Sequence, residues 1–200
     1  MFNAELQKYL IPGSRDYLNQ WCKGYKIKIV IKNARESKLG DYRKLAHNTH
    51  QITLNIGMSP ELTFFTLTHE IAHLHAREKY GNTIKPHGNE WKFCFGHLIR
   101  ESAHLYPISM QPLLLNFSNN PRASFYASKE LATYFLKEEN KEQLLLRDIP
   151  SGSVFRIKEK IFKKGNIRKI RYLCTEISSS KRYTIHMLAP VDEVIEDRHL

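Results

Sequence analysis

Residues 67–75 read Leu-Thr-His-Glu-Ile-Ala-His-Leu-His, and this stretch constrains the fold more than any other in the chain. Around it the apolar residues Phe64, Phe65, Leu67, Ile71, Ala72 and Leu74 recur at helical rather than strand spacing. On a helix one turn separates His69 from His73, so both imidazoles leave the same face. Two neutral imidazoles at that separation can share one zinc ion. Glu70 follows His69 directly and lies beside that face. A carboxylate there can take a proton from a water activated by the metal.

The run that carries this pattern has a clear start at Ser59-Pro60-Glu61: a serine N-cap, proline at the first helical position and an acid in the first turn. It ends near Tyr80-Gly81, with the glycine as C-cap. A polar loop follows, then Pro86-His87-Gly88-Asn89-Glu90-Trp91 and a second apolar-periodic run with Phe93, Cys94, Phe95, Leu98 and Ile99. A turn back from the first helix brings the start of this run to the open side of the metal. His87 is one candidate third ligand there; Glu90, three residues on, is the other. Three protein ligands with an open fourth position form a catalytic zinc arrangement, whereas four close a structural one. The longer spacing H-E-x-x-H-x-x-G-x-x-H is excluded, because Ala76 and Lys79 stand at its Gly and His positions. His75 falls off the shared face and reads as a surface or supporting residue.

Four stretches in order carry a resemblance: Leu39-Gly40-Asp41-Tyr42-Arg43, His50-Gln51-Ile52-Thr53-Leu54-Asn55, His69-Glu70-Ile71-Ala72-His73, and His87-Gly88-Asn89-Glu90-Trp91. Over roughly residues 1–105 the chain resembles the SprT-like family of zinc metallopeptidases, which includes bacterial SprT and Spartan-like domains. The resemblance implies a zincin-like α+β domain, one Zn2+ held by His69, His73 and His87, and Glu70 as catalytic base. It also implies a protein or peptide substrate and an association with DNA-bound proteins. Bacterial SprT carries a cysteine-rich zinc ribbon behind this domain. Here the tail holds only Cys174, so it cannot build a four-cysteine site.

Two hundred residues allow one domain with a small annex. Residues 2–11 and 14–23 read as helices split by Pro12-Gly13. Tyr25 to Lys32 alternates as a strand, Lys38 to Tyr42 turns into a second, and Gln51 to Ile56 is a third. Helices are expected over Trp91–His104, in a short piece at Pro112–Phe117, and over Ser124–Glu139. The expected first domain, residues 1–147, is therefore a small antiparallel sheet, the H-E-x-x-H helix and further helices. The sheet edge beside the site can align an extended peptide by β-addition. From Arg147–Ser153 onward β-type alternation takes over, with Lys163-Lys164-Gly165-Asn166 and Ser178–Ser180 as hairpin connections. Residues 148–200 are expected to form a small SH3-like, barrel-like annex.

The formal net charge is +11 and the pI about 9.6, a balance that suits a polyanionic partner such as DNA or RNA. Between Arg156 and Arg182 there are ten Lys and Arg residues against Glu159 and Glu176 alone. Lys163, Lys164, Arg168, Lys169 and Arg171 are the candidate contacts. Phe155, Phe162, Tyr172 and Tyr183 are interleaved, which suits base stacking. The same pattern also describes a solvated strand face over an aromatic core. Cys22, Cys94 and Cys174 form no C-x-x-C pair or disulfide framework, no apolar run is long enough to span a bilayer, and the N-terminal residues lack a signal-peptide pattern. A reduced, cytoplasmic protein without a membrane partner is expected. The function these features favour is a zinc-dependent endopeptidase; the rival is a non-catalytic, zinc-stabilised nucleic-acid-binding protein. Glu70 favours the enzyme, because holding a metal does not require that carboxylate. Tyr80 and His75 are the sequence's candidates for completing oxyanion stabilisation.

Overall fold

The computed structural model describes residues 4–35, 38–139 and 144–195. It is a mixed α+β chain with two sheets, and it divides into two compact units, Met1–Leu131 and Ala132–Leu200.

The first unit opens with α1 (Ala4–Gln7) and α2 (Ser14–Trp21). The helix expected over residues 2–11 is a single turn, followed by turn structure into Gly13, which takes φ 79 at the N-cap of α2. Residues 2 and 3 of that expectation lie outside the described residues. Three strands follow: β1 (Lys26–Lys32), β2 (Gly40–Lys44) and β3 (Thr49–Asn55). Their order is β1-β3-β2, with β1 and β3 parallel and β2 and β3 antiparallel, so the expected antiparallel sheet is a mixed one. Burial explains the order. Every residue of β3 from His50 to Asn55 is buried, with Ile52 and Leu54 fully so, and only a central position covers a strand this completely. β1 and β2, half exposed, take the edges. The loop between them is pinned by Asn55, whose Nδ2 donates to the carbonyls of Arg35 and Lys38 at 3.3 and 2.8 Å.

Helix α3 (Pro60–Tyr80) starts and stops as its sequence dictates. Ser59 Oγ accepts from Leu62 N at 3.3 Å, and Gly81, at φ 85, donates its N–H to Arg77 O at 2.9 Å. α3 packs on β2 and β3 on one side and on α4 (Asn89–Ser102) on another. That double cover is why its buried residues extend around most of its circumference. α5 (Gln111–Ser118) packs on α4, and Phe65, Phe95, Phe117 and Phe125 form an aromatic cluster with ring centroids 5.3–6.4 Å apart. The chain passes from the first unit to the second within α6 (Lys129–Glu139).

The second unit holds β4 (Val154–Ile157), β5 (Lys160–Arg168), β6 (Arg171–Glu176), β7 (Arg182–His186) and β8 (Glu193–Ile195), in the order β7-β6-β5-β4-β8. Among the described residues β7 and β8 do not pair, so the expected barrel is an open sheet. The expected boundary at Arg147–Ser153 lies inside this unit, because Leu146 and Ile149 belong to its core with Phe155, Phe162, Cys174 and Val191.

Lys163–Asn166 is not a hairpin connection, as its Gly-Asn composition suggested. It lies within β5, where pairing steps from Lys164↔Cys174 to Ile167↔Tyr172 and leaves one extra residue on β5. Gly165 permits this bulge: a Cβ there would sit 2.2 Å from Leu173 O. The hairpin turns fall instead at Lys158-Glu159 and Lys169-Ile170, with Lys158 and Lys169 left-handed at φ 53 and 57. All three cysteines are free and buried; burial pushes the Cys22 thiol up to about 12. Among the described residues no helix is long and apolar enough to cross a membrane.

Candidate metal centre

His69 and His73 leave α3 one turn apart, as the sequence requires, and His87 comes from the loop that precedes α4. Trp91 sets their separation. Its side chain is fully buried, its ring lies 4.7, 5.4 and 4.7 Å from those of His69, His73 and His87, and its Nε1 donates to His69 O at 3.4 Å. The tryptophan thus wedges the start of α4 against the histidine-bearing turn of α3.

The three Nε2 atoms converge: His73 to His69 is 3.2 Å and His87 to His69 is 3.3 Å. Burial lowers all three pKa values, His69 well below the usual range and His73 to about 4, so the rings are neutral at pH 7. Three neutral Nε2 atoms this close cannot satisfy one another with protons. One shared electrophile satisfies all three. A tetrahedral zinc with Zn–N bonds near 2.0–2.1 Å holds its ligand nitrogens roughly 3.3 Å apart, the spacing His69 already keeps from both His73 and His87. The residues therefore fit the ion. Among the described residues this is the only grouping of three His, Cys, Asp or Glu side chains suited to a metal. Glu90 is not part of it: its carboxylate folds back over the start of its own helix, against Gly88.

Glu70 is 5 % exposed and lies against the edge strand β2. The backbone of Tyr42 donates to its carboxylate, and Gly40 leaves it room: a Cβ at Gly40 would sit 3.0 Å from Glu70 Oε1 and 2.8 Å from Thr66 Cγ2. Burial, with Asp41 adding like charge, raises its pKa to about 8, against the pull of Lys38, Arg35 and the Tyr42 backbone. The charge of a bound dication would favour the ionised form. Asp41 is itself held below the usual carboxylate range despite partial burial, because Lys38 and Arg35 bond to it at 2.7 and 3.2 Å.

The histidines and Glu70 open onto a cleft of about 720 Å³, walled by residues 38–42 on one side and 123–126 on another. Tyr42 stacks on His73 with 6.4 Å between centroids, and its hydroxyl, pushed up to about 12 by burial, is hydrogen-bonded with His50 Nδ1 at 3.0 Å. Tyr42, Arg77 and Tyr126 all line the cleft, and the sequence pattern gave none of them a role. Arg77 was within reach of it, since it continues the four-residue spacing of His69 and His73. Tyr126 was not, because a loop brings it there. Tyr80 lies outside the cleft lining, 39 % exposed, with Lys79 Nζ 5.3 Å from its ring. His75 faces away and donates from Nε2 to Trp21 O at 2.7 Å. Both are thereby removed as oxyanion candidates.

In the second unit the candidate cations separate by face. Lys163, Arg168, Lys169 and Arg171 are exposed. Lys164 is not: it is 3 % exposed, its Nζ donates to Ile149 O at 2.6 Å and lies 3.9 Å from the Tyr172 ring centroid. Its assignment as a nucleic-acid contact is corrected, because strand alternation turns it toward the core while Lys163 points out. The interleaved aromatics also point inward: Phe155 and Phe162 are core, and Tyr172 and Tyr183 pack against it. Compared with protein-family models, with curated proteins and with solved structures, the chain finds no match in any of the three.

Proposed function

We propose that the first unit is a zinc-dependent endopeptidase of SprT-like, zincin-like type, with His69, His73 and His87 as ligands of one Zn2+ and Glu70 as catalytic base. The convergence of three neutral Nε2 atoms beside a buried carboxylate carries this reading. Bound there, zinc would supply Lewis acidity and lower the pKa of a water at its open position. The chain's own groups do the rest. Glu70, fixed between Gly40 and the Tyr42 N–H, takes the proton at its carboxylate and returns it to the leaving amine. Among the described residues β2 pairs only with β3, so its other edge could align an extended peptide along the cleft. Zinc stoichiometry and peptide cleavage by the parent and by Glu70→Gln test the reading. One zinc in each protein and cleavage by the parent alone is the expected result; cleavage by Glu70→Gln at the parent's rate would overturn it.

We infer also that the outer face of the second unit's sheet meets a polyanion such as DNA or RNA. Two cross-strand rows support this, Lys163-Thr175-Arg182 and Arg168-Arg171-His186. Directly opposed like charges such as Arg168 and Arg171 are unfavourable unless an anion lies across them. With the aromatics turned inward, phosphate contact rather than base stacking would supply the affinity. Binding of the full-length chain to duplex DNA in a salt titration is the test; no binding at low salt would remove this partner.

A further inference from the structure

His69, His73 and Arg77 are successive members of one four-residue series along α3. The guanidinium therefore leaves the helix one turn beyond the second histidine, about 6 Å further along the axis and on the same face. Arg77 lines the cleft. Its Nε is sealed from water and meets no acceptor among the described residues. The neighbouring acids are engaged elsewhere: Glu78 with Lys44 at 2.6 Å, and Asp41 with Lys38 and Arg35 at 2.7 and 3.2 Å. No acid among the described residues is left in ion-pair reach of Arg77. Its charge is therefore left to be met by an acceptor that arrives with a ligand, and a charge-assisted hydrogen bond there is stronger than a neutral one. The helix dipole explains why a cation suits the last turn of α3, but Lys79 meets that need from solvent, and the dipole does not require a side chain in the cleft.

We propose that Arg77 is a specificity-determining residue that receives a carboxylate of the peptide substrate beside the histidine cluster. The planar fork of a guanidinium matches a carboxylate in two parallel hydrogen bonds, which an amide or a hydroxyl cannot reproduce. Of the other cations on the cleft wall, Lys38 is already held by Asp41. The carboxylate belongs to an Asp or Glu side chain near the scissile bond or to a free C-terminus. The inference rests on the peptidase reading and deepens it.

The test is peptide binding to the zinc-loaded full-length chain carrying Glu70→Gln, so that turnover does not intervene. The probes are four fluorescein-labelled alanine-based hexapeptides: a central Glu or a central Gln, each with a C-terminal acid or amide. A preference of about tenfold or more for a carboxylate form is expected. Preference for Glu over Gln identifies a side-chain carboxylate, and preference for acid over amide identifies the C-terminus. Adding Arg77→Gln should abolish the preference with zinc stoichiometry and thermal midpoint unchanged, Arg77→Lys should retain part of it, and Arg77→Glu should transfer it to a central-Lys peptide. Equal affinity for all four probes, or a preference that survives Arg77→Gln, overturns the proposal and leaves the peptidase reading standing. No binding of any probe by zinc-loaded protein overturns both.

Discussion

Glu70 in the first unit and Glu176 in the second are equally hidden, each 5 % exposed, yet their carboxyls are driven in opposite directions. Around Glu70 the dominant influence is burial, no cation comes within ion-pair distance among the described residues, and the pKa rises to about 8. Around Glu176, Ser179 Oγ, Lys160 Nζ at 2.9 Å and the Tyr183 hydroxyl at 3.2 Å all bond to the carboxylate, and its pKa falls. Its cover is also thin: a few side chains hide its surface without surrounding it with protein. The difference teaches that exposure alone does not mark a reactive group. Glu176 is saturated with partners and holds β5, β6 and β7 together. Glu70 is buried beside three ring nitrogens with spare capacity to take up and release a proton, as a group poised for proton transfer must be.

The comparison breaks if the two carboxyls can be exchanged in effect. Glu70→Gln is expected to lower peptide cleavage by roughly 10²–10⁴-fold with zinc retained, while Glu176→Gln leaves cleavage unchanged; steady-state rates with metal analysis decide it. His69→Ala and His73→Ala should each lose most bound zinc. His87→Ala should lose the least, since His87 is exposed and comes from a loop, so the metal-binding constants should fall in that order.

Stability against pH sharpens the contrast. In metal-free protein, folded Glu70 retains a proton that the unfolded chain releases between about 4.5 and 8, so the first unit weakens as pH rises through that window. Glu70→Gln should remove this loss and stabilise metal-free protein at pH 7 by roughly 3 kcal/mol in urea unfolding. For Glu176 the sign reverses. Its stabilisation is present above the ordinary carboxylate pKa and is lost as pH falls through the lowered folded value, and Glu176→Gln should remove that acid sensitivity.

The smallest expected effects separate neighbouring lysines. Lys164→Met leaves the Ile149 carbonyl unpaired and should cost the second unit about 1–3 kcal/mol. Lys163→Ser, Arg168→Ser or Arg171→Ser should leave stability nearly unchanged. Each should instead reduce the slope of log affinity against log salt for duplex DNA by about 0.9 for every phosphate left without its cation. If Lys164→Met behaves like Lys163→Ser, the division of the strand into two faces is wrong.

The geometry of the histidine cluster was legible because helical period fixes it: His69 and His73 share a face by arithmetic, and Gly81 and Trp91 mark where the chain turns back. Arg77 obeys the same arithmetic but carries no motif. Tyr42 lay inside a recognisable stretch, yet its stacking on His73 depends on β2 crossing α3, which no local pattern records. The parallel pairing of β1 with β3 was hidden for a similar reason: hairpins are local, but which strand becomes central depends on total burial. Lys163 and Lys164 look identical in sequence; only the register of β5 distinguishes them.

The bulge at Gly165 acts on that register like a phase shift in a periodic signal. Upstream of it, Phe162 and Lys164 point to the core and Lys163 outward; beyond it the parity inverts, so Arg168 joins Arg171 on the outer face. Removing one residue at 165 or 166 would alter no charge in the chain. It would restore strict alternation and leave Ile167 opposite Tyr172 and Arg168 opposite Arg171 on the outer face; keeping both residues in a strand without the bulge is what would send the Arg168 side chain to the core-facing side. The electrical pattern of this face is thus encoded in chain length as much as in residue identity: with two residues between Lys164 and Ile167, only the bulge lets Arg168 stand beside Arg171 rather than against the core.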